Sequence, residues 1–155
     1  MTLAIGDLAP DFDLAVDGGG RVSLADFQGR KLVLYFYPKD DTPGCTNEAK
    51  AFSEAADRFA AAGVALLGVS KDSIKAHDRF KAKYELRIPL GSDPQGATIA
   101  AYGSWVEKSL YGRNYMGIDR STFLIDGEGR VRKIWRKVKV AGHAEAVLKT
   151  VQGLA

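Results

Sequence analysis

Cys45 is the only cysteine of the chain, and the residues before it read Tyr37-Pro38-Lys39-Asp40-Asp41-Thr42-Pro43-Gly44. The apolar run Leu32–Tyr37 predicts a buried strand, and Thr42 followed by Pro43 predicts the N-cap and first position of a helix. A thiol at that place differs chemically from a thiol in a core. The free N–H groups and positive end of a helix favour the thiolate, which is the nucleophilic form. A lone cysteine is otherwise commonly a small buried hydrophobe. The Thr-Pro-Gly lead-in favours the reactive reading here, with Gly44 letting another molecule approach the backbone and Pro43 fixing the turn.

Magnitudes show that the helix end is not sufficient. Taking an ordinary thiol from a pKa of ~8.5 to ~6 requires about 3.4 kcal/mol. A helix terminus supplies ~0.3–1 kcal/mol, or about 2 in a favourable buried site. Asp40 and Asp41 act against it, because like charges disfavour a thiolate. A cation from elsewhere must complete the site. Arg120, directly ahead of the run Ser121–Ile125, is the candidate, since an arginine at the mouth of a buried strand is held rigidly and keeps its charge. An ordinary surface salt bridge is an equal reading of that residue. Glu48 lies one helical turn beyond Cys45 on the same face, where it either orients Arg120 or merely complements the helix dipole. Thr42 either only caps the helix or also hydrogen-bonds a substrate oxygen beside the sulfur.

These residues need a scaffold. Asp11–Val16 and Arg21–Leu24 predict a hairpin around Asp17-Gly18-Gly19-Gly20, and a helix runs from Pro43 to about Ala62 ahead of Gly63. Val64–Val69 reads as a second buried strand, Ser73–Tyr84 as a polar-faced helix, Ile88–Leu90 as a brief strand and Ala97–Tyr102 as a short helix. Gly103–Arg120 lacks periodicity and is expected to be an ordered loop near the site. Ser121–Ile125 and Val131–Val138 form a hairpin around Asp126-Gly127-Glu128-Gly129, and His143–Leu154 closes the chain as an amphipathic helix. Strands alternating with helices, then a hairpin and a helix, predict an α/β fold with one mixed sheet covered on both faces.

With 155 residues, the chain is read as a single domain, 1–155. Hydrophobic residues at 46% and charged residues at 26% are ordinary for a globular protein, and no apolar stretch reaches the length of a membrane span. Met1–Asp7 has no basic region followed by an apolar stretch, so no secretory leader is expected, and a single cysteine fits a cytoplasmic location. A net charge of +3 is too mild to indicate nucleic acid. The basic run Arg130, Arg132, Lys133, Arg136, Lys137 and Lys139 around Trp135 fits the wet face of an edge hairpin better than a nucleic-acid surface. His77 and His143 have no metal-ligand spacing and are expected at the surface; no metal or cofactor is called for. Trp105, Tyr111 and Tyr115 either wall the approach to Cys45 or pack internally.

Pro38-x-x-x-Thr42-x-x-Cys45 resembles the active-site motif of the peroxiredoxins. The longer string Tyr35–Thr46 is similar to the bacterioferritin-comigratory, or peroxiredoxin Q, branch, as are Tyr111–Asp126 and the opening Gly6-Asp7-Leu8-Ala9-Pro10-Asp11-Phe12. The resemblance spans nearly the whole chain. It implies a thioredoxin-like fold with an N-terminal β-hairpin, and a thiol-dependent peroxidase acting on hydrogen peroxide and organic hydroperoxides. It further implies Cys45 as the peroxidatic cysteine, with Thr42, Pro38 and Arg120 as partners, Pro38 shielding the thiolate, and Glu48 at a position where the branch carries glutamate.

Many members of this branch also carry a second, resolving cysteine, either five positions after the first, where Lys50 stands here, or in the helix near residue 81, around Lys81. The oxidised sulfur is therefore expected to be reduced by an external thiol: thioredoxin, glutaredoxin or glutathione. The resemblance leans towards a monomer or weak dimer. Two other classes stand beside the peroxidase. A cysteine hydrolase needs a histidine base at the sulfur, for which only His77 and His143 are available. A peroxide sensor or thiol-based binding protein would be oxidised once per chain and not turn over.

Overall fold

The computed structural model describes residues 3–154; Met1 and Thr2, where the expected absence of a leader begins, and Ala155 lie outside the described residues. The N-terminal hairpin pairs β1 (Asp13–Val16) with β2 (Arg21–Ser23), and Gly18 and Gly19 at its turn take φ of 81° and 93°. The chain continues through β3 (Lys31–Phe36), α1 (Pro43–Glu54), α2 (Ala56–Ala61), β4 (Val64–Ser70), α3 (Ile74–Tyr84), β5 (Leu90–Ser92) and α4 (Ala97–Ala101). It ends with β6 (Trp105–Leu110), β7 (Arg113–Ile118), β8 (Ser121–Ile125), β9 (Val131–Trp135) and α5 (His143–Gln152).

Among the described residues, seven strands form one mixed sheet in the order β2-β1-β5-β4-β3-β8-β9. The central trio β3, β4 and β5 is parallel, while β8 pairs antiparallel with β3 and β9 with β8. Strand β3 alternates between two cores. Val33, Tyr35 and Tyr37 pack with Phe52, Phe59, Phe80 and Val147, from α1, α2, α3 and α5. Leu32, Leu34 and Phe36 pack on the other face with Ile99, Tyr102 and Phe123. The run Leu32–Tyr37 is thus apolar at every position because both faces are covered. The basic hairpin reading holds for Arg132 and Lys133, exposed on β9 at the sheet edge, whereas Arg136 lies past the strand and donates to the Tyr102 and Gly103 carbonyls.

Four boundaries differ from expectation. The helix predicted over 43–62 breaks at Ala55, keeping the Phe52 and Phe59 rings in contact at 6.0 Å. The brief strand lies at Leu90–Ser92, after Pro89, which has no N–H for the ladder. Strand β9 stops at Trp135, well short of Val138. The largest correction concerns Gly103–Arg120, which is no loop: β6 and β7 pair over their full length as a separate two-stranded sheet. Tyr111 and Gly112, both at positive φ (51° and 77°), supply the tight turn between them. Most of this hairpin's side chains are exposed, so there is no apolar alternation to read.

Candidate active site

The carboxyl end of β3 opens into the turn 38–42, and α1 begins there. Thr42 occupies the N-cap position with extended backbone and Pro43 follows in the first turn, as predicted. The Thr42 hydroxyl makes no capping bond, however. It donates to the Lys39 carbonyl at 2.8 Å. Cys45 therefore stands in the first turn of α1, where backbone N–H groups have no carbonyl of their own helix to meet. Its side chain is only 2% exposed and contributes to the same core as Tyr35 and Phe52. Pro38 is exposed at the rim of the turn.

Arg120 arrives from the short link between β7 and β8. One guanidinium arm, Nη2, donates to Cys45 Sγ at 3.3 Å, and the other, Nη1, donates to Glu48 Oε1 at 2.7 Å. This satisfies the need for a cation at the sulfur: the salt bridge is inside the site and the surface reading of Arg120 falls. The antiparallel register of β8 against β3, Phe36 opposite Ser121, delivers Arg120 to the end of β3. Gly44 makes room for it, because a Cβ there would lie 3.1 Å from Nη2. Burial disfavours the Arg120 cation, but the facing charges of Glu48 and Cys45 more than offset that and hold its pKa above the ordinary value.

Glu48 is 1% exposed, which removes the reading of a solvated first-turn carboxylate. Burial pushes its pKa up, against the pull of Arg120, to about 7. Its second oxygen, Oε2, is buried without a hydrogen-bond partner among the described residues. The Tyr35 hydroxyl is buried and unpartnered as well, packed over Gly68, where a Cβ would come within 2.7 Å of the ring. Burial first, then the charges of Glu48 and Cys45, keep this phenol neutral far above its usual range. Sequence reasoning passed over Tyr35, which reads as one more aromatic residue in a buried strand.

Both histidines are buried, against expectation. His77 Nδ1 lies 2.6 Å from Asp40 Oδ2 and Nε2 lies 2.9 Å from the Gly91 carbonyl. His143 Nε2 lies 2.8 Å from the Thr122 hydroxyl, and its ring stacks edge-on against Phe52 and Trp135. Burial and the Arg120 charge lower the His143 pKa to about 4, so the ring is neutral. The sequence did hold a signal. His77 falls in register with Ile74, Phe80 and Tyr84 on α3, and His143 with Val147 and Val151 on α5. Each histidine is hydrogen-bonded away from the sulfur, which leaves a hydrolase without its base. Trp105, Tyr111 and Tyr115 are exposed on the β6–β7 hairpin, so the internal-packing reading falls.

Lys81 donates to Asp17 Oδ2 at 2.7 Å and ties α3 to the N-terminal turn, whose Asp17 Oδ1 also accepts the Leu90 N–H. Lys50 is exposed, its ammonium 6.0 Å from the Tyr84 ring centre.

A cysteine held at a helix start by a guanidinium, at the carboxyl end of a central parallel strand, matches what comparison with known proteins returns. The AhpC/TSA family pattern covers residues 5–134, and the chain belongs to this family of thiol-dependent peroxidases. Peroxiredoxin Bcp of Bacillus subtilis is 46% identical over 155 residues, covering 100% of this chain and 99% of that protein. Two solved structures show the same thioredoxin-like fold. The Xanthomonas campestris bacterioferritin comigratory protein, studied for alkyl peroxide reduction, has a TM-score of 0.90 at 46% identity, covering 97% of this chain and 96% of that one. Xylella fastidiosa PrxQ, solved as a cysteine variant, has a TM-score of 0.93 at 40% identity, covering 98% and 97%. The chain is a peroxiredoxin of the Bcp/PrxQ type, and its one cysteine makes it a one-cysteine enzyme. Among the described residues, no helix is long and apolar enough to cross a membrane.

Proposed function

We propose that Cys45 carries the peroxidase chemistry, with Arg120, Thr42, Glu48 and Pro38 in distinct roles. The Cys45 thiolate attacks the terminal oxygen of hydrogen peroxide or an organic hydroperoxide. An S–O bond forms, the O–O bond breaks, and the leaving oxygen departs as water or alcohol after taking up a proton. Sulfur is oxidised to a sulfenic acid. Arg120 and the Cys45 backbone N–H stabilise the charge that spreads over the two oxygens. The Thr42 hydroxyl has its hydrogen committed to Lys39, so its lone pairs are free to accept the peroxide O–H and align it. Glu48 holds the second arm of Arg120 and so sets the direction of the first. Pro38 shields the thiolate at the rim.

The 3.3 Å contact of Arg120 with the sulfur, backed by Glu48, carries this assignment. The second half-reaction comes from outside the chain. A thioredoxin, a glutaredoxin or glutathione attacks the sulfenic sulfur, water leaves, and a second thiol releases Cys45 from the mixed disulfide. The chain works as a single domain and as a monomer or weak dimer, in a reducing cytoplasm where such thiols are abundant.

Stopped-flow oxidation of the reduced protein by hydrogen peroxide, with mass analysis of Cys45, tests the assignment. One added oxygen at Cys45, loss of reaction in Cys45→Ser and a fall of ~10²–10³-fold in Arg120→Ala are expected. An Arg120→Ala rate constant equal to wild type would remove Arg120 from the chemistry. Consumption of many peroxide equivalents per chain in the presence of a thiol separates an enzyme from a sensor that is oxidised once.

A further inference from the structure

A second buried charge pair lies under the turn that leads into Cys45. The Tyr37 hydroxyl donates to Asp40 Oδ1 at 2.5 Å, and His77 Nδ1 meets Asp40 Oδ2 at 2.6 Å. The other ring nitrogen faces the Gly91 carbonyl at 2.9 Å. A carbonyl only accepts, so Nε2 carries a hydrogen, and Nδ1 shares a proton with Asp40 Oδ2. Asp40 and His77 thus form one buried, hydrogen-bonded pair. The Asp40 backbone N–H is held separately by Asp72 Oδ2 at 2.9 Å, and that oxygen also accepts the Ser70 hydroxyl at 2.6 Å. Asp40, Asp72 and His77 bring ligand-type atoms within 4.8 Å of one another, but each is turned onto a protein partner, so the cluster is a hydrogen-bond network.

What this network holds is the centre of the 38–42 turn. Asp40 is fixed at once from the residue that follows β3 through Tyr37, from α3 through His77 and from the β4–α3 connection through Asp72. The residue beside it, Lys39, presents the carbonyl that takes the Thr42 hydroxyl. The orientation of Thr42 thus follows from where Asp40 sits. We propose that Asp40 and His77 are positioning residues of the peroxidase, fixing the 38–42 turn so that Thr42 and the first turn of α1 seat both peroxide oxygens against Cys45. This rests on the peroxidase assignment above. It differs from it in acting through geometry alone, because neither residue touches the sulfur.

The state of His77 supports the same picture. Burial pushes its pKa down, but the hydrogen bond and charge of Asp40, the Gly91 carbonyl and the charge of Asp72 together raise it above the ordinary histidine value. The titratable and charged groups around it are Asp40 and Tyr37 from the end of β3 and its turn, Asp72 from the β4–α3 connection, and Lys39, Asp41, Arg79 and Lys83 lining the cleft above. When His77 loses its proton as pH rises above the ordinary histidine range, its bond to Asp40 weakens and the turn loosens.

The test compares two reactions of the same sulfur in the full chain. Alkylation by iodoacetamide reports thiolate availability; peroxide reduction needs the thiolate and the alignment of two oxygens. Asp40→Asn and His77→Leu are expected to lower the peroxide rate constant ~10–100-fold while alkylation stays within about threefold. His77→Gln, which keeps a donor towards Asp40, should recover part of the loss. In wild type the ratio of the two rates should fall as pH rises above the ordinary histidine range, and in His77→Leu it should be flat. An unchanged ratio in folded Asp40→Asn overturns the proposal. Where Asp40→Asn and His77→Leu do not fold, His77→Gln carries the test: a ratio equal to wild type overturns the proposal and a lowered one supports it. A wild-type chain inert to peroxide overturns the peroxidase assignment and this one together, whereas an active wild type with unchanged variant ratios overturns only the positioning role.

Discussion

Two buried ion pairs flank the cysteine turn, and they are built to opposite specifications. The Asp40–His77 pair is complete: both carboxylate oxygens, both ring nitrogens and the Asp40 backbone N–H have partners. The Glu48–Arg120 pair is left incomplete. Glu48 keeps one buried oxygen without a partner among the described residues, and one arm of Arg120 is given to a sulfur that will change its charge during reaction. A completed network resists change and suits a structural task. An incomplete one has strength in reserve for the species that forms in the transition state. The contrast is in keeping with the proposed division of labour, chemistry on the Arg120 side of the turn and support on the His77 side.

The largest expected effect breaks the reactive pair while keeping its charge. Arg120→Lys retains a cation, but one ammonium cannot serve Cys45 and Glu48 with the fork geometry of a guanidinium. Its peroxide rate constant should fall ~10²-fold in stopped-flow, most of the loss seen on full truncation. A Lys variant within threefold of wild type would mean that charge alone matters there.

The incomplete pair should also show in stability. The folded pKa of Glu48, about 7, lies above its unfolded value near 4.5, so the protonated form is the one the fold prefers. Its contribution is fully present below the unfolded value and is lost as pH rises through about 7. The total is about 3 kcal/mol, to order of magnitude. Glu48→Gln keeps an acceptor for Arg120 and removes the titration. Relative to wild type, the variant should therefore gain stability between about pH 5 and 8 in denaturant melts. A wild-type-minus-variant difference that stays constant over that range would show that the carboxyl is no more buried in charge terms than a surface group.

His143 offers the opposite sign behind the same arginine. Its folded pKa, about 4, lies below the unfolded 6.5, so its stabilising contribution is present above 6.5 and is lost as pH falls through about 4. His143→Leu should cost about 1 kcal/mol at neutral pH, chiefly by stranding the Thr122 hydroxyl. That deficit should shrink in melts as pH falls below about 6.5 and should reverse before about pH 4, because wild type loses the contribution of its neutral ring over that range and the variant has no such group to lose. The smallest effect belongs to Lys50. An exposed lysine beside Tyr84 has little to lose, and Lys50→Glu should change the rate of glutathione-dependent turnover less than about twofold. A larger drop would make Lys50 a contact for an anionic reductant, and would shift attention from the two buried pairs to the rim of the site.

The amino-acid sequence by itself determined the part of the site that is local in the chain. A doubly apolar strand, a turn, Thr42 at the N-cap position and Pro43 in the first turn specify where Cys45 stands, since strand burial, φ of proline and helix initiation act over a few residues. It also required a cation at the sulfur, on the magnitude of the helix dipole alone. What it left open was decided by tertiary structure. Whether Arg120 paired at the surface or reached Cys45 depends on the register of β8 against β3, a contact between residues 75 apart in sequence. Whether Glu48 was a solvated dipole partner or a buried acid depends on what covers α1. The two histidines looked polar by type, yet their helical positions follow the apolar stripe; there the Asp40 and Gly91 partners raise the pKa of His77 against burial, while burial and the Arg120 charge keep His143 neutral. The β6–β7 hairpin escaped notice because its faces are open to water and write no alternation into the sequence. Local propensities are properties of neighbouring residues; charge states and hydrogen-bond partners are properties of the environment, and only the packed fold supplies one.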